Sequence, residues 1–419
     1  MAFIDSLVRG RVQGGRSVDL VPSLTYANPV TVQFSPYAYD IHENPYPTYK
    51  RLRDEAPAYH NAELGFWALS RFADVFDAMQ DWQTFSSAAG VSLEKSTAMT
   101  PPMIIAMDPP RQVRLRRLIS LAFTPRRIAM LEPKVRDLTV EYLAPLVERR
   151  EFDLIQDLAA KVPMDVISTM LGVPRSDQDL VRGWADVLLH REANRAEIPA
   201  AGIEGAKSLA GYFASKLAER RRQPSDDMIS DLIEAEIDGE RLADGEIVGF
   251  CFLLAIAGNE TTTKMIGNSI YWLTRNPDQR RLIVDDPSLI PGAVEEVTRY
   301  DNSTQMLARV LTRDLAVHGC KLPTGDRVLL LLGAANRDER EFPEPDSFNV
   351  RRKIERTVAF GHGVHVCLGA SLARLEGRVV LEEIHARMPE YEIDEASLER
   401  VHSANVRGYA SMTIRVLRR

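Results

Sequence analysis

The chain has 419 residues, 45% hydrophobic and 26% charged, with a formal net charge of −7. This balance describes an ordinary globular chain with enough apolar material for a large core, and it argues against a general affinity for nucleic acid. Cys251, Cys320 and Cys367 stand at unrelated spacings and make no disulfide framework, and the opening Met1-Ala2-Phe3-Ile4-Asp5 lacks a charged-then-apolar run, so a cytoplasmic protein is expected. The longest apolar run, Ile247 to Ala257, falls short of the roughly 18 residues of a spanning helix, and no membrane anchor is expected.

In chain order, residues 1–34 carry Arg9, Arg11 and Arg16 among glycines without a sustained period and read as a poorly ordered arm. Residues 35–419 read as one domain. A helix is predicted from Tyr49 to Ala56, then strands near Ala58 to His60 and Gly65 to Ser70. Ala88 to Met107 reads as an irregular loop. Asp108-Pro109-Pro110 starts a helix that puts Gln112 and Arg116 on one face and Arg111, Arg114 and Arg117 on the other. Between Pro109 and Leu131 there are six arginines and no acid. Amphipathic helices follow over Glu132 to Glu148, Gln156 to Leu171, Ser176 to His190 and Gly202 to Arg222, with a charged break from Arg191 to Pro199.

Asp244 is predicted to cap a long helix reaching about Leu273, apolar all round from Ile247 to Ala257 and therefore buried on every side. Gly258-Asn259-Glu260-Thr261 interrupts it. A glycine inside a helix costs about 1 kcal/mol relative to alanine and an unpaired buried carboxylate costs more, so a kink or π-bulge against a ligand is expected here. Glu296 and Arg299 fall three apart on a helix after Pro291, an arrangement that on a surface contributes only a few tenths of a kcal/mol. Strands are predicted at Leu315 to Val317 and Arg327 to Leu332, a helix from Ala370 to about Met388, and a hairpin from Val401 to Val416.

Phe360-Gly361-His362-Gly363-Val364-His365-Val366-Cys367-Leu368-Gly369 sets one thiol among three glycines and two histidines at the mouth of that helix. Two plain readings compete for such a cysteine: a small hydrophobe in the core, and half of a zinc site. No second Cys or His pair stands at ligand spacing, which disfavours zinc. The pattern Phe-Gly-x-Gly-x-His-x-Cys-x-Gly resembles the haem-binding signature of the cytochrome P450 family. The resemblance extends from about residue 38 to residue 416, with four motifs in the family order.

The resemblance implies a mainly α fold with a smaller β-rich lobe, haem b lying between the long central helix and the cysteine loop, and residues 35–419 as one catalytic domain. Cys367 is implied as the axial iron ligand, with Phe360 shielding the sulfur, Gly361 and Gly363 permitting the tight turn and Gly369 removing a Cβ where the helix lies against the ring. His365, Arg116 and Arg309 are implied at the haem propionates. Gln112 stands where relatives often carry His. Ala257-Gly258-x-Glu260-Thr261 matches the acid–alcohol pair that delivers protons during oxygen activation, and Glu296-x-x-Arg299 the buried structural pair. Relatives often have Arg where Ser347 stands; Arg351 or Arg352 is a candidate substitute. The loop up to Met107 is implied as the roof of the substrate pocket, and the break at Arg191 to Pro199 as a mobile segment.

The implied activity is monooxygenation, the insertion of one oxygen atom of O₂ into a hydrophobic small molecule such as a terpenoid, steroid, fatty acid or polyketide. No dinucleotide fingerprint stands in the chain, so electrons are expected from a separate ferredoxin-type donor and an NAD(P)H-dependent reductase. The arginines after Pro109, with Arg351, Arg352, Lys353 and Arg356, are expected to form its docking patch. Competing readings are an H₂O₂-dependent peroxygenase and a non-catalytic haem sensor, both disfavoured by Glu260 and Thr261. A monomer is expected.

Overall fold

The longest element is the helix Asp244–Arg275, and the other large helices pack around it. In this computed structural model, which describes residues 32–94, 101–189 and 198–418, it contacts the helices Lys161–Met170, Ala200–Arg222, Ile290–Tyr300 and Ala370–Arg387. Burial on so many sides explains why its sequence is apolar all round: Ile247, Phe250, Cys251, Phe252, Ile266 and Ile270 are each 4% exposed or less. Ala243, not Asp244, is the N-cap; its N–H donates to the Glu246 carboxylate at 3.0 Å, and Asp244 instead pairs with Arg221.

The smaller lobe is a five-stranded sheet in the order Ala58–Asn61, Phe66–Leu69, Arg327–Leu330, Leu307–Leu311, Phe85–Ser86. All its pairs are antiparallel except Phe66–Leu69 with Arg327–Leu330. Because alternate residues of a strand face opposite ways, Phe66 and Ala68 enter one apolar cluster while Trp67 and Leu69 enter another. The sheet is thus covered on both faces. This is why Phe66–Leu69 reads as a continuous apolar run.

The end of the stretch predicted as a poorly ordered arm is packed into the core. Residues 1–31 lie outside the described residues, but Val32 and Phe34 are each 2% exposed, and Phe34 meets the rings of Tyr49, Tyr59 and Phe66 edge-on. Val32-Gln33-Phe34 alternates as a buried extended segment does, over too few residues to register as a period. The break predicted at Arg191 to Pro199 also falls largely outside the described residues. No helix among the described residues is long and apolar enough to cross a membrane.

Candidate active site

Cys367 ends a loop closed by its own backbone. The Gly361 N–H donates to the Val358 carbonyl at 3.0 Å, that of Val366 to Gly363 at 3.1 Å, and that of Cys367 to Phe360 at 2.8 Å. Gly361 and Gly363 sit at φ 70° and 68°, where a side chain is strained, and a Cβ at Gly363 would meet the Met79 carbonyl oxygen at 2.6 Å. Cys367 is walled by protein on its other sides, and its exposed surface opens into a cavity with about 1420 Å³ of atom-free space, mouth included. Burial pushes its thiol pKa up; the N–H of Gly369, the guanidinium groups of Arg116 and Arg374 and the N–H of Ala370 pull the other way. Arg374, two helical turns on, also lies 4.4 Å from the Phe360 ring centroid and pairs with Glu295, which fixes the ring in place.

Across the cavity stands the central helix, contributing Ala257, Gly258, Thr261 and Thr262. The expected π-bulge is absent, since the helix stays α-helical throughout. Gly258 has a packing reason instead: a Cβ there would lie 2.4 Å from Ile167 Cδ1. Nor is the inserted carboxylate unpaired. Glu260 bonds Lys264 Nζ at 2.9 Å, one turn along the helix, with Lys264 only 5% exposed. Thr261 lines the cavity, and its hydroxyl donates to the Ala257 carbonyl at 2.8 Å.

One corner of the site is short of negative charge. Gln112 Nε2 and Arg116 Nη1 both donate to the Val364 carbonyl, at 2.7 and 3.3 Å, because residues four apart share a helix face. Arg309 follows Leu307 by two residues and so shares its strand face; it is 4% exposed and bonds only the Ala308 carbonyl among the described residues. Gln112 Oε1 and His365 Nε2 are buried without partners. Burial, opposed by Asp108, lowers the Arg309 pKa to about 10; burial and then Arg309 lower that of His365 to about 4. Asp108 is itself held by the Ser86 hydroxyl and the Ser87 N–H. The buried Arg309 cation and the unpartnered Nε2 of His365 call for an anion, and the two propionates of a haem have the required chemistry; the Gln112 oxygen, an acceptor, adds nothing to that demand.

Glu296 and Arg299 are fully buried, joined by two bonds of 2.7 and 2.8 Å. Arg299 Nη1 donates to the carbonyls of Asn336 and Pro345, each at 3.0 Å. The third member of the network is Arg352: its Nε donates to Glu296 at 3.2 Å and its Nη2 to the Ser347 carbonyl at 2.9 Å. Asn336 in turn accepts from the Val358 N–H and the Thr357 hydroxyl, so the network reaches the start of the cysteine loop.

The predicted docking patch is largely spent on internal pairs. Arg114 bonds Glu240 and Glu246, Arg111 bonds Glu246, Arg117 faces Asp238, Arg127 pairs with Asp231 and Arg356 with Glu341. The acids that meet Arg111, Arg114, Arg117 and Arg127 come from residues 231–246, far away in sequence, so reading the helix by itself left its charges uncompensated. Sequence reasoning also missed Glu376, which is 1% exposed and lines the cavity. Burial raises its pKa to about 8, against a hydrogen bond from Thr262. Its place nine residues after Cys367 was the available signal.

The chain matches the cytochrome P450 family profile over residues 288–387. It is 46% identical over 386 residues to a Mycobacterium tuberculosis protein assigned as cytochrome P450 123, covering 91% of this chain and 96% of the relative. It is 39% identical over 382 residues to the vitamin D(3) 25-hydroxylase of Pseudonocardia autotrophica, covering 89% and 94%. The crystal structure of CYP109E1 from Bacillus megaterium in complex with testosterone superposes with a TM-score of 0.85 at 33% identity, covering 90% of this chain and 99% of that one. With such identity spread over nearly the full length of its relatives, the chain belongs to the cytochrome P450 family of haem-dependent monooxygenases.

Proposed function

We propose that this monooxygenase oxygenates a hydrophobic polycyclic small molecule of steroid-like size, with haem b held by Cys367. The observation that carries this reading is the cavity itself: a thiol and a cation-rich corner on one side, and apolar walls with Thr261 on the other. Steroid-like size is supported by the relative named for vitamin D(3) and by the testosterone complex. Bound haem supplies the redox chemistry that activates O₂.

The protein's own groups divide the work. Cys367 ligates the metal as thiolate, and Phe360 keeps water and oxidants from the sulfur. His365, Arg309 and Arg116 hold the propionates through charge-assisted hydrogen bonds, and Gln112 joins them by turning its Nε2 from the Val364 carbonyl. Gly369 on the loop side and Ala257 on the helix side would leave room for the ring, while Gly361 shapes the turn of the loop and Gly258 lets the helix pack on Ile167. Ile104, Phe250, Leu254 and Leu307 exclude water and orient the substrate. On release from Lys264, Glu260 takes a proton from solvent and gives it to the Thr261 hydroxyl, which passes its own proton into the cavity. Glu296 and Arg299 brace the loop. Electrons come from a ferredoxin-type donor with its NAD(P)H-dependent reductase.

The test is a spin-state titration of the haem-loaded protein with testosterone, vitamin D3 and hexadecenoic acid, followed by turnover with a ferredoxin and reductase or with H₂O₂. A low-to-high-spin shift with the polycyclic ligands and reductase-dependent product are expected. A shift with the fatty acid alone, or product with H₂O₂ alone, overturns the reading.

A further inference from the structure

A second cavity, with about 850 Å³ of atom-free space, mouth included, shares no lining residue with the one at Cys367. It lies among the helix Tyr46–Glu55, Tyr271 and Trp272 of the central helix, and Arg400 and Arg407 of the tail. Four cations line it (Lys50, Arg337, Arg400 and Arg407) against two acids, Glu43 and Asp346.

Three of the cations have partners. Lys50 pairs with Asp54 at 2.8 Å, Arg337 Nη1 with Asp346 at 3.0 Å, and Arg407 Nε with Asp301 at 2.7 Å. Arg400 has none: among the described residues its side chain makes no ion pair and no hydrogen bond, and its guanidinium lies over the rings of Tyr409 and Tyr271, 3.8 and 5.6 Å from their centroids. Its Nη1 is buried without a partner, and so is Nη2 of Arg337, a residue 5% exposed. Asp301 offsets part of the Arg400 charge but accepts no hydrogen bond from it: one of its oxygens accepts from Tyr46 and Arg407 and the other from the Trp272 indole. Burial lowers the Arg400 pKa and Arg407 lowers it further, while Asp301, Tyr409 and Tyr271 oppose the shift without cancelling it. A water would satisfy the two donors but not the charge.

We propose that this cavity is a binding site for a small oxyanion carried on a planar ring, a phosphate or a carboxylate, with Arg400 and Arg337 donating to it. A guanidinium fork suits either group, and Tyr46, Tyr271 and Trp272 supply aromatic walls in a space larger than phosphate itself. The site is separate from the haem cavity, and its occupancy does not depend on the substrate assignment.

The experiment uses the full-length haem-loaded protein, with thermal unfolding and calorimetric titration in inorganic phosphate, phenyl phosphate and benzoate, against chloride at matched ionic strength. A saturable rise in Tm beyond the chloride control is expected, with a ring-bearing anion saturating at a concentration about tenfold lower than phosphate. Preference for phenyl phosphate or for benzoate identifies which oxyanion the site takes. Arg400→Gln should weaken binding about tenfold or more while the spectrum of the haem stays unchanged. Arg400→Lys, which keeps the charge but loses the fork, should fall between. No saturable response to any of the three anions, or equal saturation in wild type and both variants, overturns the proposal.

Discussion

His385 shows what burial does to a titratable side chain remote from the cavity. Burial lowers its pKa from 6.5 to about 4, and the neutral ring fits its surroundings, with Nδ1 at 2.8 Å from the Leu381 carbonyl and Nε2 at 3.3 Å from the Tyr391 hydroxyl. Between those two pH values the unfolded chain binds the proton more readily than the folded one. Stability from this group is therefore full above pH 6.5 and lost as pH falls toward 4, by on the order of 3 kcal/mol. Urea unfolding across that range should show the loss, and His385→Gln should flatten it; an unchanged slope contradicts the assignment. Thr261→Ala removes the one hydroxyl of the Glu260–Thr261 pair that faces the cavity. Haem loading and ligand binding should stay near wild type while a larger share of NAD(P)H ends as peroxide. An unchanged yield of product per NAD(P)H places the relay elsewhere.

At the scale of elements, the roof of the cavity rests on the central helix through Gly249, where an added Cβ would lie 2.0 Å from the Pro102 carbonyl oxygen. That atom is backbone, so Gly249→Ala must push the segment around Pro102 outward, and Ile104 and Ile105, which line the cavity, move with it. Overpacking of this kind costs about 1–3 kcal/mol. The affinity for steroid ligands should change about tenfold or more in a spin-state titration, with an intact carbon monoxide spectrum; identical affinities across a size series contradict the contact. This contact was invisible in the sequence, because Gly249 and Pro102 stand far apart in the chain and a glycine in an apolar helix carries no sign of its neighbour. Elements set by local pattern were legible: the central helix was read to within two residues of its end at Arg275, and the strands Ala58–Asn61 and Phe66–Leu69 to within one. Gln156 to Leu171, read as a single helix, starts instead with a π-helical turn at Ile155–Ala159, which apolar spacing does not distinguish.

Across the whole molecule the same division holds. Glu296 and Arg299 were legible as a motif, but their third partner was left open between Arg351 and Arg352, since only the folded chain brings Arg352 to Glu296. The arginines after Pro109 misled for the same reason, their acids lying across a tertiary contact. Because the buried pair ties the Ile290–Tyr300 helix to the cysteine loop through Asn336, Glu296→Ala should cost about 3–5 kcal/mol and release haem. A variant with wild-type haem content and urea midpoint contradicts that role.

The central claim, that Cys367 holds haem in the cavity beneath the long helix, is tested most directly by the absorption spectrum of the reduced, carbon monoxide-bound protein, compared between wild type and Cys367→Ser. A thiolate-type band in the wild type that disappears in the variant is predicted. A wild type without the band, or a variant that keeps it, contradicts the account.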